Sequence, residues 1–211
     1  MLVIIQVTRA ARRDESQTGE PVHIGDRALD NLAFIRETME RSTSFTAVPG
    51  YGGMLMGLTA IIAAYIASTQ PLRQDWLITW FAEAGIAFAI GVLGMWNKSR
   101  TGDTSLFSAP ALKFARAFAP PLIAGVVITL GMWRFGHFET MIPVWIVSYG
   151  AAVVSGGSFS VKVVPVMGWL FLAMGAAAFA LPAGYGNIYM GASFGLVHII
   201  FGAIIAKRYG G

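Results

Sequence analysis

Cysteine is missing from the chain altogether, and charge is scarce: of 211 residues only 12% are Asp, Glu, Lys or Arg, while 55% are hydrophobic. Without cysteine there is no disulfide scaffold and no thiolate metal site. So little charge excludes a disordered chain and an ordinary soluble domain, in which about a quarter of residues are charged. Other signals are missing too. No nucleotide loop, heptad repeat or low-complexity tract occurs. The opening MLVIIQV precedes Arg9, Arg12 and Arg13, whereas a signal peptide places its charge first, so no cleaved segment is expected. The mean hydropathy of +0.63 belongs to a membrane protein.

The charge that is present is unevenly placed. Residues 1–41 hold six basic and seven acidic groups, half of all those in the chain. A water-exposed segment, residues 1–48, is therefore expected before a lipid-embedded body, residues 49–211.

Crossing a hydrocarbon layer of about 30 Å takes about 20 mostly apolar helical residues, because each backbone polar group must find its partner inside the helix. Charge-poor stretches predict spans over 51–69, 76–96 with Glu83 inside it, 119–138 with Arg134 and His137 near its far end, and a short glycine-containing 141–157. The 44 residues from Val163 to Ala206 contain no Asp, Glu, Lys or Arg, and Pro182, Gly184, Gly186 and Asn187 divide them into spans 163–181 and 187–206. The fold class is all-α: a polytopic membrane protein, a bundle of six transmembrane helices preceded by a short amphipathic interfacial helix.

Lys and Arg set the orientation. Thirteen of them fall in the N-terminal segment, the second and fourth loops and the tail, against Arg73 and Arg134 on the opposite face. Both termini are therefore expected in the cytoplasm, with the bacterial-type inner membrane as the default location. The net charge of +4 reflects this topology and contact with anionic lipid, not a nucleic-acid surface. Two halves of three helices would be inverted relative to each other, as in many transporters, although no shared sequence pattern joins them.

The amphipathic element covers about 29–43. Leu29, Leu32, Ile35 and Met39 recur at helical spacing, Arg36 with Glu40 and Glu37 with Arg41 form i,i+4 pairs, and Asp26 is placed to cap its start. It lies on the cytoplasmic interface or offers a docking surface to a partner protein. A weaker element of the same kind is expected at Pro110 to Phe118.

Ionisable side chains at membrane depth are the candidate site, since a charge at the bilayer centre costs about 2.5–3.5 kcal/mol on insertion scales. Glu83 shares its helical face with Ala87, Gly91 and Gly94, so it is expected to look toward protein. Arg134, one turn from the outer end of the third span, either rises to the interface or pairs with Glu83. His198 lies near the midplane with Gly191, Gly195 and Gly202 at helical spacing, where it bonds a serine hydroxyl or carbonyl across a helix interface or relays protons with Glu83.

No cofactor is expected. His137 and His198 lie at different depths, which disfavours haem, and no cluster of metal-ligating residues is visible. The six tryptophans fall mostly near helix ends, as interfacial indoles do. The leading functional expectation is passage of a small solute or proton-linked substrate past Glu83, Arg134 and His198. The alternative is a non-transporting sensor, regulator or assembly subunit that binds a partner through residues 29–43. Third is an intramembrane hydrolase using Ser155 or Ser158 with His198, which depth disfavours. Small-residue faces also permit a homo-oligomer.

Overall fold

A computed structural model describes residues 29–35, 38–39, 44–101, 105–180 and 182–210. The chain divides into two compact units, Met1–Ser42 and Thr43–Gly211. In the first, residues 29–35 and 38–39 are helical, with Leu29, Leu32, Phe34 and Ile35 exposed. Asp26 and the pairs Arg36 with Glu40 and Glu37 with Arg41 lie outside the described residues. The unit boundary means that residues 44–49, grouped by composition with the N-terminal segment, belong to the helical body.

Among the described residues the second unit contains six helices and no strand. They are α1 (Gly50–Ser68), α2 (Arg73–Thr101), α3 (Ala109–Phe135), α4 (Met141–Gly157), α5 (Val163–Ala178) and α6 (Gly186–Tyr209). Four of these, α1, α2, α3 and α6, are long and apolar enough to cross a membrane. The other two, α4 and α5, are apolar but have 17 and 16 residues, about 25 Å of helix at 1.5 Å per residue.

Several boundaries depart from the sequence expectation for physical reasons. Helix α2 runs on past the apolar stretch through Lys98 and Arg100, because leaving hydrocarbon does not oblige a helix to stop. The expected element at Pro110 to Phe118 is the first part of α3 itself. Ser108 caps its start by accepting from the Ala111 N–H, and Pro120 and Pro121 lie inside it. Helix α3 ends at Phe135, short of 138, because Gly136 adopts φ 77° and the N–H groups of Gly136 and His137 turn back to Trp133 and Met132. Within α6, Gly191–Val197 is wound as a π-helix.

The helices form two layers. Helix α1 packs against α2 and α6, and α4 packs against α3 and α5. Small residues allow the close approach. A Cβ on Gly57 would stand 2.5 Å from the Gly195 carbonyl oxygen of α6, and a Cβ on Gly150 would stand 2.8 Å from the Leu172 nitrogen of α5.

Between the layers the backbones keep further apart, and large rings fill the space. Trp76 of α2 stacks on Trp145 of α4 at 5.5 Å between ring centroids, and Phe171 of α5 meets Phe194 of α6 at 5.3 Å. The layers thus meet along an aromatic seam.

Candidate functional site

The two ends of the seam differ. At one end residues 44–49 form a strap that leads into α1 and ties it to the opposite layer. Phe45 is 1% exposed, its N–H donates to the Phe159 carbonyl at 2.8 Å, and its own carbonyl accepts from the Ser160 hydroxyl at 2.7 Å. Its ring packs on Phe114 of α3 at 5.3 Å. Lys98 fastens the same end, its ammonium donating to the carbonyls of Val48 and Gly210. A backbone carbonyl that takes a charged donor is held more firmly than by a neutral one.

At the other end the layers part around a cleft of about 270 Å³. One layer contributes Ser68, Gln70, Arg73, Trp76 and Asn187, the other Phe138, Glu139, Ile142 and Pro143. The indole N–H groups of Trp76 and Trp80 converge on Asn187 Oδ1, at 2.7 and 3.3 Å. Indoles only donate, so the carbonyl oxygen of Asn187 must face them, and its amide nitrogen is directed away. The Arg73 guanidinium lies 5.5 Å from the centroid of the Phe138 ring, a cation–π contact.

Below the cleft, Ile142, Trp145 and Tyr149 step down one face of α4 at intervals of three and four. Seven residues carry that face about 10 Å into the bundle. There the Tyr149 hydroxyl lies 2.7 Å from His198 Nε2, joining α4 to α6 across the seam. His198 is 6% exposed and ringed by Phe171 and Phe194. Its Nδ1 is buried without a well-formed hydrogen bond, with the Phe194 carbonyl of the π segment nearby. A buried polar atom left in that state costs about 1–3 kcal/mol. The carriers of sequence-level expectation, Gly195 and Gly202, face α1 while His198 faces α4. A π turn takes more residues than an α turn, which turns His198 away from Gly195 inside the π segment; Gly202 follows His198 in the same α-helical stretch and is not separated from it by that shift.

Glu83 is 8% exposed and sits within one layer, against α1. Thr59 Oγ1 is 2.9 Å from both Glu83 Oε1 and the Met56 carbonyl. A hydroxyl has a single hydrogen to give. Thr59 therefore donates to the Glu83 carboxyl or to the Met56 carbonyl, one at a time.

The structure does not bring the three expected residues together. Arg134 is exposed at the cleft end of α3, and among the described residues no ion pair joins it to Glu83, because α3 packs on α4 and α2 on α1. Glu83 bonds Thr59 and His198 bonds Tyr149, so no direct hydrogen bond connects the acid with the histidine. The partner of His198 is a tyrosine where a serine or carbonyl was expected. For the hydrolase reading, Ser158 donates to the Val154 carbonyl at the strap end, and the side-chain partner of His198 is Tyr149, not Ser155 or Ser158.

Sequence reasoning missed Tyr149, Thr59 and the Trp76, Trp80 and Asn187 group. The available signal was a polar side chain inside an otherwise apolar span, which flags Thr59 and Tyr149 without naming their partners. Compared with protein families, with curated proteins and with solved structures, the chain matches none.

Proposed function

We propose that this membrane protein moves a small polar solute by displacing one helix layer against the other, with the Tyr149–His198 pair as the site the solute or its proton passes. The observation that carries the reading is the asymmetry of the seam: a cleft at one end, a strap across the other, and a buried histidine bonded across the layers between them. Alternating access by rigid movement of helix groups around a midplane site is a recurrent transporter design.

Lys98, Arg100, Lys113, Arg116, Lys162, Lys207 and Arg208 all belong to the strap end, against Arg73 and Arg134 at the cleft end. By the positive-inside rule the strap faces the cytoplasm and the cleft opens outward, in a cell inner membrane. Glu83 holds α1 to α2 within its layer, and Arg134 has no role in the passage.

Because the chain has no cysteine, a labelled pair introduced at Ser68 and Glu139 reports the width of the cleft without background. Spin-label distances in nanodiscs are expected to show two populations, with Tyr149→Phe and His198→Ala changing their ratio. A single invariant distance, or proteoliposome flux untouched by both His198→Ala and Tyr149→Phe, would remove the reading.

A second reading, a membrane subunit that presents its N-terminal helix to a partner protein, is supported by the exposed Leu29, Leu32, Phe34 and Ile35. Deleting residues 1–42 leaves the strap in place. Loss of a co-purifying protein in that deletion, with the bundle still folded, would favour it.

A further inference from the structure

The cleft carries two opposite charges that do not neutralise each other. Arg73 and Glu139 both line it, one from each layer, yet among the described residues no ion pair joins them, and the Arg73 guanidinium rests on Phe138 instead. Three further features favour an occupant. The amide nitrogen of Asn187 is turned from its two indole donors, so it offers hydrogens that the tryptophans cannot take. Gln70 donates its amide to the Ile66 carbonyl, which leaves its side-chain oxygen as an acceptor beside the cleft. Trp76, Phe138, Ile142 and Pro143 supply apolar wall. A volume of about 270 Å³ falls just below the about 300 Å³ at which pockets for drug-sized ligands start, which restricts an occupant to a small molecule.

From this arrangement we infer that the cleft binds a small zwitterion, one bearing a primary ammonium and an oxyanion within a few bonds of each other. The oxyanion is taken by Arg73 and the Asn187 amide, the ammonium by Glu139 and the Gln70 oxygen, and any apolar portion lies on Trp76 and Phe138. A planar guanidinium suits a carboxylate or phosphate equally, so the chemistry is shared by a free amino acid and by a phosphoethanolamine lipid headgroup. The inference rests on the cleft being the entrance assigned above, but binding and flux are measured separately.

The test is calorimetric titration of the full-length protein in nanodiscs of phosphatidylglycerol, a lipid without an ammonium group. Leucine and phosphoethanolamine are expected to bind at least about tenfold more tightly than pentylamine or pentanoate, the order that one charge-assisted contact contributes. Arg73→Gln and Glu139→Gln should each remove that preference. Both side chains are exposed, so helical content and melting should stay at wild type.

Adding phosphatidylethanolamine to the discs separates the two sources. Displacement of leucine assigns the cleft to the lipid headgroup, and unchanged leucine affinity assigns it to a free solute; either supports a zwitterion site. Binding without flux supports the site and removes the transport reading. Single-charge analogues binding as tightly as the zwitterions, variants with wild-type preference, or flux of a solute with no zwitterion binding in either disc would overturn it.

Discussion

The contacts inside each helix layer and the contacts between the layers are built from different residues, and the difference separates what must be rigid from what is free to move. Inside the layers glycines bring backbones together, as Gly57 does with Gly195 and Gly150 with Leu172. Such contacts leave no room to slide, because a main-chain atom is the neighbour. Between the layers, rings and a few hydrogen bonds carry the contact: Trp76 on Trp145, Phe171 on Phe194, Tyr149 with His198, and Tyr189 donating to the Met174 carbonyl at 2.9 Å. Rings pack in several rotamers and re-form contacts after a shift. Hydrocarbon makes the distinction sharper than water would, since lipid tails offer no hydrophobic force to pull helices together and close packing has to do it.

The most severe way to break the comparison is to put bulk where the backbones touch. Gly57→Leu drives a whole side chain into the Gly195 carbonyl. Inserting single methylenes into a packed core already costs about 1–3 kcal/mol. Here the neighbour is main chain that cannot yield, so the loss should be the largest of the set. We expect loss of the monodisperse peak on size-exclusion chromatography in detergent; a wild-type profile would mean that α1 and α6 lie further apart.

Phe45→Ala removes the ring that staples the layers at the strap. Deleting a buried Phe side chain costs about 3–5 kcal/mol when its surroundings do not collapse. Here the loss is expected to stay local, with amide exchange rising across residues 44–49 while the α1–α6 contact keeps its protection. Exchange that rises equally in both regions would show that strap and layers melt as one.

Thr59→Val leaves Glu83 without its hydrogen-bond partner inside a layer, a loss of about 1–3 kcal/mol. Combining it with Glu83→Leu should restore most of the melting temperature, because both polar groups are then gone; a double variant as unstable as the single one contradicts the pairing. Last is Tyr149→Phe, which leaves one buried imidazole nitrogen unpaired, a loss of no more than about 1–3 kcal/mol. Its stability change should match that of Tyr189→Phe, also in the seam, whereas only Tyr149→Phe should alter flux.

The helices were legible because hydrocarbon imposes length and apolarity on each segment separately. The division of the uncharged stretch at Pro182 to Asn187 and the near-coincident bounds of Met141–Gly157 follow from that local constraint. Partner choice was not legible, since it depends on which helices are neighbours. Depth alone made Arg134 a plausible mate for Glu83, but Thr59 on the adjacent α1 takes that place. The strap was missed because residues 44–49 look like a linker by composition, and only the loop after α4 supplies the carbonyl and hydroxyl that tie Phe45 down.

The winding of α6 governs where its histidine points. A π segment is an α-helix that has absorbed one residue too many, and it holds the downstream half of the helix rotated from the heading it would otherwise have. Excising a single amino acid between Gly191 and Val197 would let the helix rewind and swing the imidazole off Tyr149, leaving every functional side chain chemically intact. The aim of His198 is therefore a property of chain length as much as of composition.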